Sequence, residues 1–512
     1  MMKIPALIKA MNGVDRMRWN GVTGEIMKKL VLGLLFALAP LLFAQAPPNQ
    51  EVVLSASAGS KLGIALPYPK ISVLPEATVT TEFHQVLIKD LEEAGPFAVI
   101  QKNLPGGTDA ASYKAWADTG TEWLLTTTII RSAGADLEVM IQVVDVMAGQ
   151  GKNVKAVMSK RYTGKDGALR RIAHKISDDL MGRLTGDPGV ASTRVVFVKE
   201  AGRGIKEIYQ VDRDGANAFP LTHFKSLTIS PSIAPDGRLA YVTYKGGAPE
   251  IWGQRVPGGP QVKLYPPSGK AEGHCFCPSW SPDGKRLALV QSDRRGNTDI
   301  VMLDVATGRV RRLTDSNCIN TDPSWNPAGT QLAFTSDREG GPQVFLMGDD
   351  GSNVRRLTQE GTYNGSPAWS PSGSMIAYVS RFEGKFDLFV YKLGEGKSYQ
   401  ITTGVASSES PSWSPDERRI VFSSGSRGGM QLYTTDLSGN TLRKLMNLDG
   451  CQSPKWTRSR LEKKGCPDSL GVVNLIRVGG SKHAIRSKPH TPRSGSHFRG
   501  GSGLQEASPR SR

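Results

Sequence analysis

Cysteine is scarce in this chain, with five among 512 residues, at positions 275, 277, 318, 451 and 466. Their number and spacing do not form the framework of a disulfide-rich secreted domain. An oxidising compartment would permit a single bond such as Cys277 to Cys318, an alternative that the sequence leaves open. No second Cys or His pair follows Cys275-Phe276-Cys277 at the spacing of a zinc site. We therefore expect structural or free thiols and no metal site.

Long apolar segments are also missing, with one exception near the start of the chain. Residues 30–43 form an uncharged apolar run that follows Met27-Lys28-Lys29 and ends at Ala44-Gln45-Ala46. A basic start, a short apolar stretch and an A-x-A site predict a secretory signal peptide over residues 27–46. The run is short for a membrane anchor, and a buried core helix is the other alternative. Because signal peptides normally begin near the true start, residues 1–26 are interpreted as an over-extended gene start.

Residues for nucleophilic catalysis do not occur in a recognisable arrangement. There is no G-x-S-x-G motif, and the nearest stretch is Gly396-Lys397-Ser398-Tyr399-Gln400. None of the seven histidines has a paired nucleophile nearby in the sequence. These absences predict a protein that is not an enzyme, and nothing in the chain indicates a cofactor.

Positive charge is in excess but unevenly distributed. The net charge is +17, of which residues 457–512 contribute +9 and residues 1–29 contribute +4. The body of the chain between them carries only +4. Because the basic residues lie at the two ends, the excess charge does not indicate that the folded part binds nucleic acid. We expect no nucleic-acid partner.

Glycine (57) and proline (32) are abundant, and both recur in a repeat that starts near residue 195. Its landmark is Pro-Ser-Trp-Ser-Pro-Asp-Gly, intact at residues 278–284. The leading prolines are 43 to 47 residues apart, at Pro231, Pro278, Pro323, Pro367, Pro411 and Pro454. That interval is the length of a four-stranded β-propeller blade. Pro, Asp and Gly favour a tight turn after each Trp strand, and the Trp is interpreted as packing between blades.

The two ends of the repeat array complement each other. Residues 195–198, 207–211 and 219–222 match the second to fourth strands of a blade that lacks its Trp strand. The missing strand is Ser453-Pro454-Lys455-Trp456 at the other end. Five whole repeats and this split one predict an all-β six-bladed β-propeller, closed by pairing of its N- and C-terminal strands.

The residues that precede the propeller have a different pattern. Residues 80–95 and 168–184 carry apolar side chains at helical spacing, and each run ends at Gly and Pro. Between them, residues 123–130 and 137–146 alternate as strands do. This pattern predicts a small α/β N-terminal domain, joined to the propeller by a linker at 186–192.

Together these features resemble the TolB family, the periplasmic component of the Tol–Pal system of Gram-negative envelopes. Besides the repeats, the resemblance depends on residues 90–97, on the helix at 169–178, and on Leu184-Thr185-Gly186 before the first propeller strands. It covers roughly residues 51–456. The resemblance implies a monomeric periplasmic scaffold that bridges the lipoprotein Pal at the outer membrane and TolA from the inner membrane. It further implies a role in envelope integrity and in outer-membrane constriction at cell division, with membrane contact only through these partners.

The resemblance also implies two binding regions. The TolA-binding segment is the mature N-terminus, with Glu51, Val52, Val53 and Leu54 as an added strand; a disordered or intramolecularly docked terminus is the alternative. The Pal-binding surface is the propeller mouth, formed by the segments that lead into the Trp strands. For any single one of these residues, the alternative interpretation is a solvated loop residue that contacts no partner. These mouth residues are His274, Cys275, Phe276, Asn320, Thr321, Asp322, Asn364, Gly365, Ser366, Glu409 and Ser410.

The predicted organisation has four parts. A leader (1–46) precedes the α/β domain (47–190) and the propeller (193–456), and a basic tail (457–512) follows. The tail is rich in Ser, Gly, Arg and Pro, which predicts disorder. A frameshifted reading of the gene end, or a genuine basic tail that touches membrane or nucleic acid, are the alternatives.

Two other functions remain open at this point. Propellers of this type also occur in serine peptidases, so the chain could be the propeller of a peptidase-like protein that lacks its hydrolase domain. It could also be a propeller that binds a carbohydrate or small molecule at its channel.

Overall fold

A computed structural model of the chain describes residues 61–71, 77–102, 104, 109–131, 136–148, 156–165, 167–255, 259–267, 269, 273–315, 317–382, 384–403, 406–426, 429–457 and 470–474. The predicted signal peptide and the candidate TolA-binding residues Glu51, Val52, Val53 and Leu54 lie outside the described residues.

The first domain is a sheet covered by helices. Its elements are β1 (Leu62–Ala65), β2 (Lys70–Ile71), α1 (Ala77–Ala94), β3 (Phe97–Ile100), α2 (Ala110–Ala117), β4 (Trp123–Arg131), β5 (Leu137–Asp145), β6 (Ala156–Gly164) and α3 (Leu169–Leu184). The strand order is β3-β1-β4-β5-β6, with β2 paired to β4. The two predicted helices and two predicted strands are confirmed, whereas α2, β1, β2, β3 and β6 were not predicted.

The helices of this domain cover both faces of the sheet. Helices α1 and α3 pack together and bury Phe83, Leu91 and Ile176 against one face. Helix α2 places Trp116 on the other face, against Leu124. Successive residues of a strand point to opposite faces of the sheet. The alternating pattern of strands β4 and β5 therefore divides the core into one cluster on each face.

The second domain is a β-propeller of six four-stranded sheets, which confirms the predicted architecture. Blade 1 contains β7 (Arg194–Gly202), β8 (Ile205–Asp212) and β9 (Phe219–Pro220); blade 2 contains β10 (Thr228–Ile233), β11 (Arg238–Thr243), β12 (Glu250–Arg255) and β13 (Val262–Tyr265); blade 3 contains β14 (Cys275–Trp280), β15 (Arg286–Ser292), β16 (Thr298–Asp304) and β17 (Val310–Arg312). Blade 4 contains β18 (Asn320–Trp325), β19 (Gln331–Ser336), β20 (Gln343–Gly348) and β21 (Arg355–Arg356); blade 5 contains β22 (Asn364–Trp369), β23 (Met375–Phe382), β24 (Lys385–Lys392) and β25 (Lys397–Gln400); blade 6 contains β26 (Ser408–Trp413), β27 (Arg419–Ser426), β28 (Gly429–Asp436) and β29 (Arg443–Lys444).

Strand β30 (Cys451–Trp456) is the inner strand of blade 1 and closes the ring. It pairs antiparallel with β7, from Cys451 opposite Lys199 to Trp456 opposite Val195. The indole Nε1 of Trp456 donates to Thr193 Oγ1 at 2.8 Å, which ties the closing strand to the residue that follows the interdomain linker. Ring closure by the two ends of the array is therefore as predicted.

The Trp residues that recur at the end of the inner strands pack between neighbouring blades. Trp280 of blade 3 is buried against β11 of blade 2, and the guanidinium of Arg238 from β11 lies 4.6 Å from its ring centre. Arg286 of blade 3 lies 4.7 Å from the Trp325 ring of blade 4, and also donates to Gly329 O at 2.9 Å. Trp280 and Trp325 are thus each enclosed by apolar side chains and an Arg of the preceding blade.

Part of the basic tail is ordered, unlike the expectation for residues 457–512. Strand β31 (Gly471–Asn474) pairs antiparallel with β6, and Leu470 packs against the core of the α/β domain. The physical reason is that β6 would otherwise end the sheet with unpaired backbone groups, which readily accept another strand.

The two domains meet at the C-terminal end of α1. Propeller arginines surround this end: Arg213 pairs with the Glu93 carboxylate at 2.8 Å, and Arg443 pairs with the same carboxylate. Arg418 donates to the Ala94 carbonyl, and Arg419 donates to the Glu93 carbonyl at 3.4 Å. Cations are favourable at a helix C-terminus, where backbone carbonyls lack helical partners.

A buried histidine lies beside this contact. Nδ1 of His174 in α3 is 2.6 Å from an Asp90 carboxylate oxygen in α1, and its Nε2 is 3.6 Å from an Asp214 oxygen in the propeller loop after β8. Burial lowers the pKa of His174, but the hydrogen bond and charge of Asp90, with the charges of Asp214 and Asp212, outweigh it and raise the pKa. Arg170 also pairs with Asp214. A protonated His174 therefore donates from Nδ1 to Asp90, and its charge also attracts Asp214 of the propeller at 3.6 Å.

We expect deletion of Cys451–Trp456 to destabilise the propeller by more than about 4 kcal/mol, because it removes a buried Trp and leaves β7 as an open edge. The measurement is urea unfolding followed by Trp fluorescence. Truncation after Asn474 is the matched control and should leave the midpoint unchanged. An unchanged midpoint in the deletion variant would contradict the closure.

We expect the stability of the folded chain to fall as the pH rises above 6.5, the ordinary pKa of histidine. The folded-state pKa of His174 is raised, so its stabilisation is complete below the unfolded pKa and is lost as the pH rises through the folded pKa. The loss should be about 2 kcal/mol, the size of a charge-assisted hydrogen bond. Thermal unfolding from pH 6 to 9 should therefore depend less on pH in His174→Gln than in His84→Gln, a control within α1. Equal slopes in the two variants would refute this assignment.

Candidate binding site at the propeller mouth and channel

Six inner strands line the channel, and each has an irregularity at its third residue. Pairing with the next strand shifts register there in every blade. These residues have positive φ angles between 45° and 56°, and each precedes a proline, which disfavours the right-handed helical conformation. We call them the bulge ring: Ser230, Cys277, Asp322, Ser366, Ser410 and Ser453.

The bulge ring and the residues after it enclose a central cavity of about 240 Å³. Its walls are mainly proline rings, serine hydroxyls and the edges of the inner-strand tryptophans. Among the described residues that line it, Asp322 and Lys455 are the charged ones. The channel is therefore a polar pocket with one group of each charge.

Four of the predicted mouth residues are buried inside the blades. Nδ2 of Asn320 donates to Thr298 O at 3.1 Å, and Nδ2 of Asn364 donates to Gln343 Oε1 at 2.7 Å, so both amides hold their strand to the preceding blade. The Cys275 thiol donates to Pro249 O at 3.2 Å, and Gly365 is buried as well. The first position of each inner strand faces a neighbouring blade, which leaves these groups unavailable to a partner.

The other predicted mouth residues reach the surface. His274 is exposed, and its ring centre lies 6.2 Å from that of Phe276. The remaining members are half-buried around the channel opening: Phe276, Thr321, Asp322, Ser366, Glu409 and Ser410.

This opening faces away from the α/β domain. Strand β26 runs from Ser408 near the opening to Trp413, and the turn that follows Trp413 carries Arg418 and Arg419. Those two arginines contact α1. The α/β domain therefore packs on the face where inner strands end, and the opposite face, where they begin, carries the mouth residues.

Several channel residues were not predicted from the sequence. Ser230, Cys277 and Ser453 complete the bulge ring, and Lys455 lines the cavity beyond it. A signal existed, because the residue before each repeated proline is small or polar in all six repeats. Lys455 is the residue that departs from the repeat, in a position that is Ser or Ala in the other five.

No group of three or more His, Cys, Asp or Glu side chains in the described ranges is arranged to hold a metal ion. Cys275, Cys277, Cys318 and Cys451 are free thiols. Of the helices that the structure describes, none has the length and apolar character needed to cross a membrane.

Comparison with known proteins agrees with this geometry. Residues 181–460, more than half of the chain, match the TolB beta propeller domain. The chain belongs to the TolB family. Residues 51–152 also match the TolB amino-terminal domain, which agrees with the α/β unit that precedes the propeller.

Curated relatives carry the same family name. A TolB homolog of Chlorobium chlorochromatii is 34% identical over 258 residues, and the Tol-Pal system protein TolB of Anaeromyxobacter dehalogenans is 33% identical over 254 residues. These matches cover 49% and 48% of this chain, and 56% and 55% of the relatives. The chain thus spans just over half the length of the curated relatives it matches.

A solved structure resembles most of the chain. The crystal structure of TolB from Acinetobacter baumannii has a TM-score of 0.65 and 26% sequence identity. The aligned region covers 78% of this chain and 97% of the Acinetobacter chain. The two-domain architecture is therefore that of the TolB family.

The Cys277 thiol is held beside a carboxylate in the propeller channel. Its Sγ lies 3.4 Å from Asp322 Oδ1 and 3.9 Å from Thr321 Oγ1. Burial, followed by the charge of Asp322, raises the pKa of Cys277 to about 12. The thiol is therefore neutral at physiological pH and acts as a weak donor.

We expect Cys277 to react with iodoacetamide about three- to tenfold faster in Asp322→Ser than in the unmodified chain at pH 8. Removing the carboxylate lowers the thiol pKa, and a fall of half to one unit increases the thiolate fraction by this factor. Mass spectrometry of the alkylated peptides provides the rates. Cys451, in another blade interface, is the internal control, and equal Cys277 rates in the two proteins would show that Asp322 does not set its pKa.

Proposed function

We propose that this protein is a periplasmic scaffold of the Tol–Pal system that binds the lipoprotein Pal at the propeller mouth. Membership of the TolB family supports this role, as does the name of the relative from Anaeromyxobacter, Tol-Pal system protein TolB. In this role the protein bridges Pal at the outer membrane and TolA from the inner membrane. It thereby contributes to envelope integrity and to outer-membrane constriction at cell division.

The ring of half-buried polar groups around the channel opening is the observation that carries the proposal. Thr321 and Glu409 are the second residues of the inner strands of blades 4 and 6, and Ser366 is the third residue of the inner strand of blade 5. His274 and Phe276 extend the ring on blade 3. Polar groups with an aromatic residue between them are common at protein interfaces. The face that carries them is not covered by the α/β domain, which leaves it free for a macromolecule.

The proposed TolA contact belongs to the N-terminal segment Glu51, Val52, Val53 and Leu54, outside the described residues. Its sequence suits a strand added to a partner sheet. We propose further that the protein acts by binding as a monomer and catalyses no reaction. A serine-hydrolase probe that labelled the purified protein would overturn this part.

The test is a calorimetric titration with the soluble domain of Pal from the same organism. We expect the double variant Thr321→Phe/Asp322→Lys to bind at least tenfold more weakly, because it places bulk and a reversed charge at the centre of the proposed surface. Unchanged affinity would refute the proposed surface.

The matched control is the double variant Asp304→Lys/Thr307→Phe. These residues form a turn after β16, at the opposite end of the propeller from the mouth. It introduces the same changes of charge and bulk and should retain the affinity for Pal. Comparable thermal unfolding of both double variants confirms that lost binding is not lost folding.

A further inference from the structure

Lys455 interrupts the symmetry of the propeller channel. The equivalent residues of the other five inner strands are Ser232, Ser279, Ser324, Ala368 and Ser412. Three of these serines accept a backbone N–H from the Trp of the following blade, as Ser412 Oγ does from Trp456 N at 2.9 Å. An ammonium group has no acceptor atom and cannot replace them in this contact. The lysine side chain lines the cavity instead.

The ammonium of Lys455 is an unpaired charge. Among the residues that the structure describes, none forms a hydrogen bond or ion pair with it. Burial lowers the pKa of Lys455 by more than the charges of Asp322 and Cys277 raise it, so the channel disfavours the charged ammonium. A half-buried cation without a counter-ion is unfavourable, and an anion that enters the channel would compensate for it.

The other charged group of the cavity wall is already engaged. Asp322 lies on β18, across the ring from β30, since each inner strand contacts its two neighbours in the order β30, β10, β14, β18, β22 and β26. Its Oδ1 accepts from the Cys277 thiol at 3.4 Å, and its Oδ2 accepts from Thr335 Oγ1 at 3.5 Å. Asp322 therefore opposes highly charged anions without neutralising Lys455 at hydrogen-bond distance.

We propose that the channel is a binding site for a carboxylate group, with Lys455 as its counter-ion. The single charge of a carboxylate matches Lys455 and is repelled less by Asp322 than a multiply charged phosphate would be. Serine hydroxyls of the bulge ring at Ser366, Ser410 and Ser453 can donate hydrogen bonds to it. The cavity of about 240 Å³ has the volume of roughly eight water molecules, enough for one small carboxylate.

The carboxylate has two possible sources that share this chemistry. One is a free small acid, and the other is an acidic side chain of the protein that docks on the mouth. The second source depends on the proposed function, whereas the channel site itself does not.

The first experiment uses acetate as the probe and acetamide, its neutral isostere, as the control. The indole N–H resonances of the channel tryptophans are followed by NMR at constant ionic strength. We expect saturable shifts with acetate, at a dissociation constant of roughly millimolar, and none with acetamide. Equal shifts with acetamide would overturn the proposal.

Two single variants replace each charged residue of the channel by serine, the residue that most other blades have at the same position. Lys455→Ser should weaken acetate binding at least tenfold. Asp322→Ser, which matches Ser366 and Ser410, should strengthen it because a repelling charge is removed. Both serines occur naturally at these places in the repeat, and thermal unfolding verifies folding. Acetate binding that is unchanged in Lys455→Ser would overturn the proposal.

The second experiment distinguishes the two sources by titrating the Lys455→Ser variant with soluble Pal. Weakened Pal binding, and competition between acetate and Pal in the unmodified chain, assign the carboxylate to the docked protein. Unchanged Pal affinity with intact acetate binding assigns it to a free acid. If Pal fails to bind at all while acetate binds, the proposed function is wrong and the channel site remains.

Discussion

The pairing of β30 with β7 is the constraint on which the rest of the structure depends. It joins residues about 250 positions apart and closes five whole repeats and one split repeat into a ring in which every inner strand is paired. The same junction positions the other domain, because Trp456 of the closing strand donates to Thr193, the first residue after the linker. In α3, Asp178 accepts the Ala191 N–H at 2.7 Å and so anchors the linker from the other side. Ring closure and domain placement therefore share one set of contacts.

The channel shows how a repeated scaffold acquires a specific site. A proline after a bulge occurs in all six inner strands, and it turns six third-position side chains toward one axis. Four of these positions are serine, and the other two are Cys277 and Asp322, which contact each other across neighbouring blades. Lys455 adds the opposite charge. The backbone supplies the symmetry, and the residues that differ between blades supply the chemistry.

The two working faces of the propeller are separated by the length of an inner strand. One face carries the polar ring around the opening, and the other holds the C-terminal end of α1 through arginines and places Asp214 beside the buried His174. Although burial raises the pKa of Glu93, the charges of Arg213 and Arg443 lower it overall, so the carboxylate stays ionised and paired. A macromolecule bound at the opening would not contact these interdomain ion pairs.

The sequence alone determined the number of blades, the closure of the ring and the two long helices, because periodicity, turn residues and apolar spacing are local properties of the chain. It also indicated the region of the mouth. Only the tertiary structure decided that Asn320 and Asn364 turn into the blades while Asp322 turns toward the channel. A bulge changes which face a strand residue occupies, and alternation cannot locate that change. The pairing of residues 471–474 with β6, and the place of Lys455 opposite Asp322, likewise arise from contacts between distant segments. Such contacts leave no periodic signal in the sequence.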